Sequence, residues 1–302
     1  MRASKVTYYS YHNPFKAFQA LIFPVEAIAF KPVTDVKELE GIANGVRKWS
    51  IKMTTKAQSG HPGGSLSAAD AFTALYFSVM KHDPAKPDWD GRDRFILSNG
   101  HICPAWYAVQ ALAGYFPTSE LMTFRQFGSR LQGHPTRGTL PTIEISTGSL
   151  GQGFSAAVGY ALGLQLAGKP NMVFVSVGDG ELEEGATWEA AMAGAHYKLG
   201  NLIAFCDRNG LQQNGPTEDI IGLEPLKEKY EAFGWRVVEA EGNDMAKVLD
   251  AFKHALTASN KPTMIFFKTV MGKGVKFMEN DHQWHGKPLP QDKAQEALKM
   301  LG

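Results

Sequence analysis

Two hydrophobic rhythms run along this chain. One is helical: Val36, Leu39, Ala43, Val46, Ile51 and Met53 recur at intervals that place them on one face of a helix. Asp35-Val36-Lys37-Glu38 can form a capping box at its start. Ser59-Gly60-His61-Pro62-Gly63-Gly64 predicts its end before Ser59, because proline and paired glycines break helices. A second box, Ser67-Ala68-Ala69-Asp70, predicts another helix running toward Met80. The other rhythm consists of short unbroken apolar runs. Arg94 to Leu97, Met172 to Val177, Leu202 to Cys206, Trp235 to Val238 and Thr263 to Phe267 read as buried strands. Helical stretches reach Ala113 after the Ser98-Asn99-Gly100-His101 turn, then run from Ala156 to Ala167, Thr187 to Leu199 and Asp244 to Ala258. Strands alternating with helices predict an α/β fold: a mostly parallel sheet with helices on both faces. The pattern reads as one domain over 35–302, preceded by an extension over 1–34.

Composition adds boundaries. The 302 residues are 44% apolar and 20% charged, ordinary for a globular protein, with a formal net charge of +1. Such a balance draws the chain to neither nucleic acid nor membrane. The two cysteines, Cys103 and Cys206, have no partner at CxxC spacing and read as small buried groups in a reducing, cytoplasmic setting. In the extension, Arg2 and Lys5 precede a moderately apolar stretch from Phe15 to Phe30. Lys16, Pro24 and Glu26 interrupt it, so a packed or disordered extension, or an early translation start, fits better than a secretion signal.

Ligands of open parallel sheets bind beyond the carboxyl ends of the strands. Val177 leads into Gly178-Asp179-Gly180-Glu181, and Cys206 leads into Asp207-Arg208-Asn209-Gly210. If these strands are neighbours, Asp179 and Asn209 meet at one rim as hard oxygen ligands suited to Mg²⁺ or Ca²⁺. Gly178 and Gly180 permit close approach of an anion, and the N-terminus of the Thr187 helix lies nearby. The site reads as a cation bridging protein to a diphosphate. On its own, Gly-Asp-Gly is more often only a strand-ending turn. Four of the nine histidines sit in loops with tight-turn residues: His61, His101, His134 and His285. A lone loop histidine is usually solvated or structural, but four in such settings suit a site that moves protons near neutral pH.

Gly178-Asp179-Gly180 followed by Asn209 after residues 181–208 resembles the thiamine-diphosphate signature of transketolase-like enzymes. The stretch from Gly178 to Met192, with Lys198 to Leu202 and Asn209 to Leu211, is more similar to transketolase than to pyruvate dehydrogenase or acetolactate synthase. The similarity runs from about Val36 to Pro290. It implies a thiamine-diphosphate-binding fold in which Asp179, Asn209 and the backbone carbonyl of Leu211 hold Mg²⁺, or alternatively Ca²⁺ or Mn²⁺. It implies that His101 and His285 touch the cofactor's diphosphate, and that His61, His134 and His285 face the sugar hydroxyls and the reacting oxygen, which makes all four catalytic candidates. Gly148 and Leu150, in the loop from Gly148 to Gly153, correspond to the segment that approaches the diphosphate, beside Gly178 and Gly180. Glu184 matches a glutamate at the subunit interface near the cofactor, and reads equally well as a first-turn helix acid. His12, His82, His196, His254 and His282 match no motif and read as surface or structural.

The family enzyme is about twice as long, and this chain covers only its diphosphate-binding domain. The glutamate that activates the cofactor's aminopyrimidine ring and the arginines that grip the sugar phosphate belong to the absent pyrimidine domain. The resemblance therefore implies the N-terminal subunit of a split transketolase, inactive until a C-terminal subunit completes it, in a heterotetramer that moves a two-carbon ketol unit between phosphosugars of pentose phosphate metabolism. Two departures from the pattern are Asp281, where split forms usually carry asparagine, and Gln58, in place of a small residue. Two alternatives stand beside this reading. One is a related thiamine enzyme, deoxyxylulose-phosphate-synthase-like or specialised for an unusual ketose. Trp284-His285-Gly286 and His134 favour transketolase over that. The other is a non-catalytic cofactor-binding partner, against which the intact metal motif and the histidines argue.

Overall fold

A computed structural model describes residues 32–302. Most of the extension expected over 1–34 lies outside the described residues, and so does His12. Where the described chain begins, the Val33 N–H donates to the Phe77 carbonyl (2.8 Å).

Helix α1 spans Val36–Ala57. Asp35 caps it by accepting the Glu38 N–H (2.9 Å), and Gln58 ends it in the left-handed region, so both predicted boundaries hold. The predicted stripe is the buried one: Leu39, Ala43, Val46, Ile51 and Met53 are fully enclosed. The next turn corrects the sequence reading. Pro62 and the following glycines start a helix instead of only preventing one: α2 covers Pro62–Ser67, with proline in its first turn where no N–H is needed. Ser67 is the last residue of α2 and caps nothing. Its hydroxyl donates to the Asp207 carboxylate (2.6 Å), and Asp70 pairs with Arg47 and Asn243. After a break at Ala68, α3 (Ala69–Ala74) continues as a wider π turn over Leu75–Val79.

Strand β1 (Arg94–Leu97) leads through a tight turn at Gly100–Ile102 into α4 (Cys103–Leu112). Then come α5 (Gln152–Leu166), β2 (Val173–Gly178), α6 (Gly185–His196) and β3 (Leu202–Arg208). A short hairpin, β4 (Leu211–Gln212) with β5 (Gly215–Pro216), and the single turn α7 (Thr217–Ile220) precede α8 (Leu226–Phe233). The chain closes with β6 (Arg236–Glu241), α9 (Met245–Ala255), β7 (Thr263–Lys268) and α10 (Gln291–Met300). The main sheet has five strands in the order β1-β2-β3-β7-β6, every pair parallel, which is the predicted architecture.

Alternate strand residues feed two cores. Phe174, Phe205, Ile265 and Phe267 point to the face covered by α1, α3, α4 and α9. Val175, Val177, Ala204 and Phe266 point to the face covered by α5, α6 and α8. Burial on both sides explains why these strands read as continuous apolar runs. A smaller cluster seats α10 against α1 through Ile51, Ala294, Ala297 and Leu301. The layers hold the carboxyl ends of β1, β2, β3 and β7 at one edge, where long loops gather.

Candidate active site

Gly178 of β2 lies opposite Asp207 of β3. Asp179 and Asn209 therefore leave the sheet side by side, as the motif spacing requires. Asp179 is buried, and each carboxylate oxygen is engaged. Oδ1 accepts the Gly180 N–H (2.9 Å), and Oδ2 accepts the Gly210 N–H (2.5 Å) and lies 3.3 Å from the Arg208 guanidinium. Burial, followed by the charge of neighbouring Asp207, pushes the Asp179 carboxyl up to about 7. A cation against this carboxylate would offset both effects.

Asn209 is oriented by Asp207. Its Nδ2 donates to Asp207 Oδ2 (3.0 Å), while its Oδ1 accepts the Leu211 N–H (3.0 Å). A carboxylate only accepts, so the amide nitrogen must face Asp207 and the oxygen must face the Leu211 side. Asp207 is itself fixed by the hydroxyls of Ser67 (2.6 Å) and Thr269 (2.5 Å). Leu211 stands opposite Pro216 in the β4–β5 hairpin, and proline has no N–H with which to claim the Leu211 carbonyl. The Asn209 amide oxygen thus faces Leu211, and the Leu211 carbonyl has no proline N–H to meet it across the hairpin.

Glu181 is a residue that sequence reasoning missed. It is buried and accepts three bonds: from the Ser98 hydroxyl, the Gly151 N–H (2.8 Å) and the Gly178 N–H (3.1 Å). The Ser98 hydroxyl also accepts the Phe154 N–H (2.9 Å). One carboxylate thereby ties the end of β1, the end of β2 and the start of α5. This fixes the loop that contains Gly148 and Leu150. Its desolvation raises the carboxyl to about 7. The signal available in the sequence was an acid directly after Gly-Asp-Gly at a strand end, where an exposed side chain would need no partner and a buried one needs several.

The four loop histidines converge. The ring centroid of His61 lies 5.0 Å from that of His101, 5.6 Å from His285 and 6.4 Å from His134, and His101 and His285 are 5.2 Å apart. They arrive from separate elements: His61 precedes α2, His101 lies in the turn before α4, His134 sits in the loop between α4 and α5, and His285 follows a turn at His282–Trp284. Gly148 adopts a left-handed backbone (φ 133°), and a Cβ there would sit 2.9 Å from the His134 ring. That close approach brings the expected diphosphate loop against a histidine expected to face the sugar. His61 Nδ1, His285 Nδ1 and Asn99 Oδ1 are buried without a protein partner. Burial first, then the neighbouring charges of His285, Arg125 and His134, push His61 down to about 4. His101, His134 and His285 are lowered too, chiefly by desolvation. The rings are neutral at physiological pH, each with one donor and one acceptor.

One cavity of about 280 Å³ is lined by all four rings and by Gly148, Leu150, Gly178, Asp179, Gly180, Asn209 and Leu211. Every predicted site residue except Glu184 borders it. Glu184 is exposed at the start of α6 and makes no side-chain cap there. A wider groove of about 1130 Å³ opens on the other side of Asn209, along β6 and α9, and none of the four histidines lines it. Among the unmatched histidines, His82 is structural: its ring bonds the Tyr76 carbonyl (2.6 Å) and stacks on Tyr115.

A strand-end carboxylate and amide suit a cation with a diphosphate, and neutral imidazoles beside them suit the hydroxyls of a separate substrate. The chain is thus of the thiamine-diphosphate-binding class. Residues 39–302 match the family described as "Transketolase, thiamine diphosphate binding domain", and the chain belongs to the transketolase family. It is 43% identical to the 6-deoxy-6-sulfo-D-fructose transketolase subunit SqwG of a Clostridium species, over 87% of this chain and 96% of that protein. It is 39% identical to one of the subunits of the apulose-4-phosphate transketolase of Phocaeicola vulgatus, over 87% and 94%. Transketolase from Campylobacter jejuni superposes with a TM-score of 0.84 at 34% identity, covering 89% of this chain but 43% of that one. The chain therefore corresponds to the N-terminal, diphosphate-binding subunit of two-chain transketolases, and spans less than half of the solved single-chain enzymes.

Proposed function

We propose that this chain carries one half of a two-chain active centre for ketol transfer. Asp179, the Asn209 amide oxygen and the Leu211 carbonyl would hold Mg²⁺, a cation that takes few protein ligands beside phosphate oxygens. Gly148, Leu150, Gly178, Gly180, His101 and His285 line the diphosphate. The convergence of His61, His101, His134 and His285 with Asp179 and Asn209 on one cavity carries this reading.

Thiamine diphosphate, when bound, supplies the electron sink for making and breaking a carbon–carbon bond beside a carbonyl. The chain's own residues do the rest. Neutral His61, His134 and His285 orient sugar hydroxyls, because each imidazole donates once and accepts once. They also take and return protons at the hydroxyl and carbonyl oxygens of the sugar. His61 and His285 each keep a buried ring nitrogen without a protein partner, available to such an oxygen.

The other half of the centre comes from a C-terminal, pyrimidine-domain subunit. Helices α5 and α6 support that proposal. Leu166 at the end of α5 (79% exposed), Met192 in α6 (57%) and Tyr197 just after α6 (48%) are exposed large hydrophobics of the kind that proteins cover by association. Glu184, exposed just before α6, is the residue the resemblance expects at the interface. The two-chain relatives are named for a sulfonated and a phosphorylated ketose. We therefore assign this chain a donor with a terminal anion, gripped by the partner. Both cysteines are free and buried, which fits a reducing compartment such as the cytoplasm. No helix among the described residues is long and apolar enough to cross a membrane.

The test is co-expression with a pyrimidine-domain chain, followed by a two-carbon transfer assay with Mg²⁺ and thiamine diphosphate. Transfer by the pair and by neither chain alone supports the reading. Transfer by this chain alone, or no cofactor binding by the pair, refutes it.

A further inference from the structure

Between the sugar-facing histidines and the solvent stands Arg125, which no motif brought forward. Its backbone lies in the left-handed region (φ 58°), held by a bond from its N–H to the Leu131 carbonyl (3.0 Å). That conformation is uncommon for a long side chain and persists where surrounding contacts over-determine it. The contacts are specific. Nη1 donates to the Ser59 hydroxyl (2.6 Å) and Nη2 to the Gly133 carbonyl (3.1 Å). Ser59 lies two residues before His61, and Gly133 lies one before His134. A Cβ on Gly133 would sit 2.5 Å from Arg125 Nε, so only glycine lets the guanidinium lie this close to that loop. The same Gly133 carbonyl accepts the Cys103 thiol (3.2 Å), and the Tyr107 hydroxyl donates to Gln132 (3.0 Å), which anchor the loop to α4. Ser59, Arg125, Gly133 and His134 wall an open recess of about 600 Å³ beside the histidine cavity.

We propose that Arg125 is a positioning residue: its guanidinium ties the segment before His61 to the segment before His134, and so sets the spacing of the two imidazoles that meet the sugar. The inference rests on the ketol-transfer reading above for what those imidazoles do. Its geometry stands without that reading. A planar fork with two nitrogens can span two acceptors at once, and a lysine ammonium on its flexible stem cannot replace it. Arg125 also contributes a nearby positive charge that disfavours protonation of both rings. The two contributions, fork and charge, are separable by substitution.

The experiment uses the two-chain complex with three variants: Arg125→Lys keeps the charge without the fork, Arg125→Met loses both, and Ser59→Ala cuts one tie and keeps the rest. Transfer kinetics, thiamine diphosphate affinity by calorimetry, and the histidine titrations by ¹H–¹⁵N spectroscopy are read on each. We expect Arg125→Lys to lower kcat/KM for the sugar about tenfold or more, with cofactor affinity within about twofold of the parent. Ser59→Ala should show a smaller loss of the same kind. Arg125→Met should add an upward movement of the His61 and His134 titrations that Arg125→Lys lacks. Full rescue of kcat/KM by lysine, or a loss in which cofactor affinity falls in step with kcat/KM, overturns the proposal. If the parent complex transfers no ketol unit, the function reading fails. The proposal is then decided by whether the His61 and His134 ring signals of Arg125→Lys and Ser59→Ala shift from the parent, unchanged signals overturning it.

Discussion

The two ends of the cavity are built on opposite plans. At the sheet end, Asp179, Glu181, Asp207 and Asn209 are linked to one another's segments by hydrogen bonds from Ser67, Ser98, Gly151, Gly178, Gly210 and Thr269. At the loop end, His61 and His285 each keep a buried ring nitrogen that no protein group satisfies. The first end is organised by the chain itself before any ligand arrives. The second leaves its hydrogen-bonding capacity for the ligand to fill. A buried polar atom without a partner costs about 1–3 kcal/mol until a ligand or water oxygen satisfies it. Fixed carboxylates suit a cation and a diphosphate that stay through many turnovers. Open imidazoles suit a substrate that enters and leaves.

Substitutions at the two ends should therefore fail differently. The largest effect is expected for Asp179→Ala: loss of a metal ligand should lower transfer by about 10³-fold in the complex and abolish Mg²⁺-dependent thiamine diphosphate binding by calorimetry. Glu181→Ala leaves the Gly151 and Gly178 N–H groups without their acceptor. We expect a loss of about 2–4 kcal/mol in urea denaturation, accompanied by weaker cofactor binding. His134→Ala should behave in the opposite way, with stability and cofactor affinity nearly unchanged while kcat/KM falls about 10²-fold. A His134 variant that loses cofactor as Asp179→Ala does would erase the distinction between the two ends. Asp207→Asn can donate as well as accept, so it no longer dictates which way the Asn209 amide points. Metal affinity should drop about tenfold, read by Mg²⁺ titration of the complex.

A further effect is a pH slope. The folded state lowers His61 from its ordinary 6.5 to about 4. Between those values the unfolded chain binds a proton that the folded chain refuses, so stability is full above about pH 6.5 and declines as pH falls toward 4. One such group sets a slope of at most about 1.4 kcal/mol per pH unit. Denaturation of the parent and His61→Gln between pH 6.5 and 4.5 should give a shallower slope for the variant. Equal slopes would show that the fold does not lower the His61 ring's affinity for a proton.

The contrast also explains what the amino-acid order discloses. Strands β2 and β3 were legible because both faces are buried, and their polar ends follow at once. Asp179, Asn209 and the histidines were legible as a set through the family's motifs. Their separations depend on loops distant in sequence, which no spacing encodes. The residues overlooked were those that hold others. Glu181 and Asp207 look like ordinary acids beside the motif until burial shows them surrounded by donors. Ser67 and Asp70 had the letters of a capping box, but tertiary partners had stronger claims: Asp207 on the hydroxyl, and Arg47 with Asn243 on the carboxylate. Helices α8 and α10 went unpredicted although each starts directly after a proline and carries apolar residues at helical spacing, Leu226, Tyr230 and Phe233 in α8 and Ala294, Ala297 and Leu298 in α10.

On this reading the chain holds the cation and diphosphate while a second chain completes the centre. The most direct measurement is thiamine diphosphate binding by the co-expressed pair, with and without Mg²⁺, compared with the pair carrying Asp179→Ala and Asn209→Ala together. Tight, Mg²⁺-dependent binding by the parent pair and none detectable by the doubly substituted one is expected. Undiminished, Mg²⁺-dependent binding by the doubly substituted pair would contradict the reading.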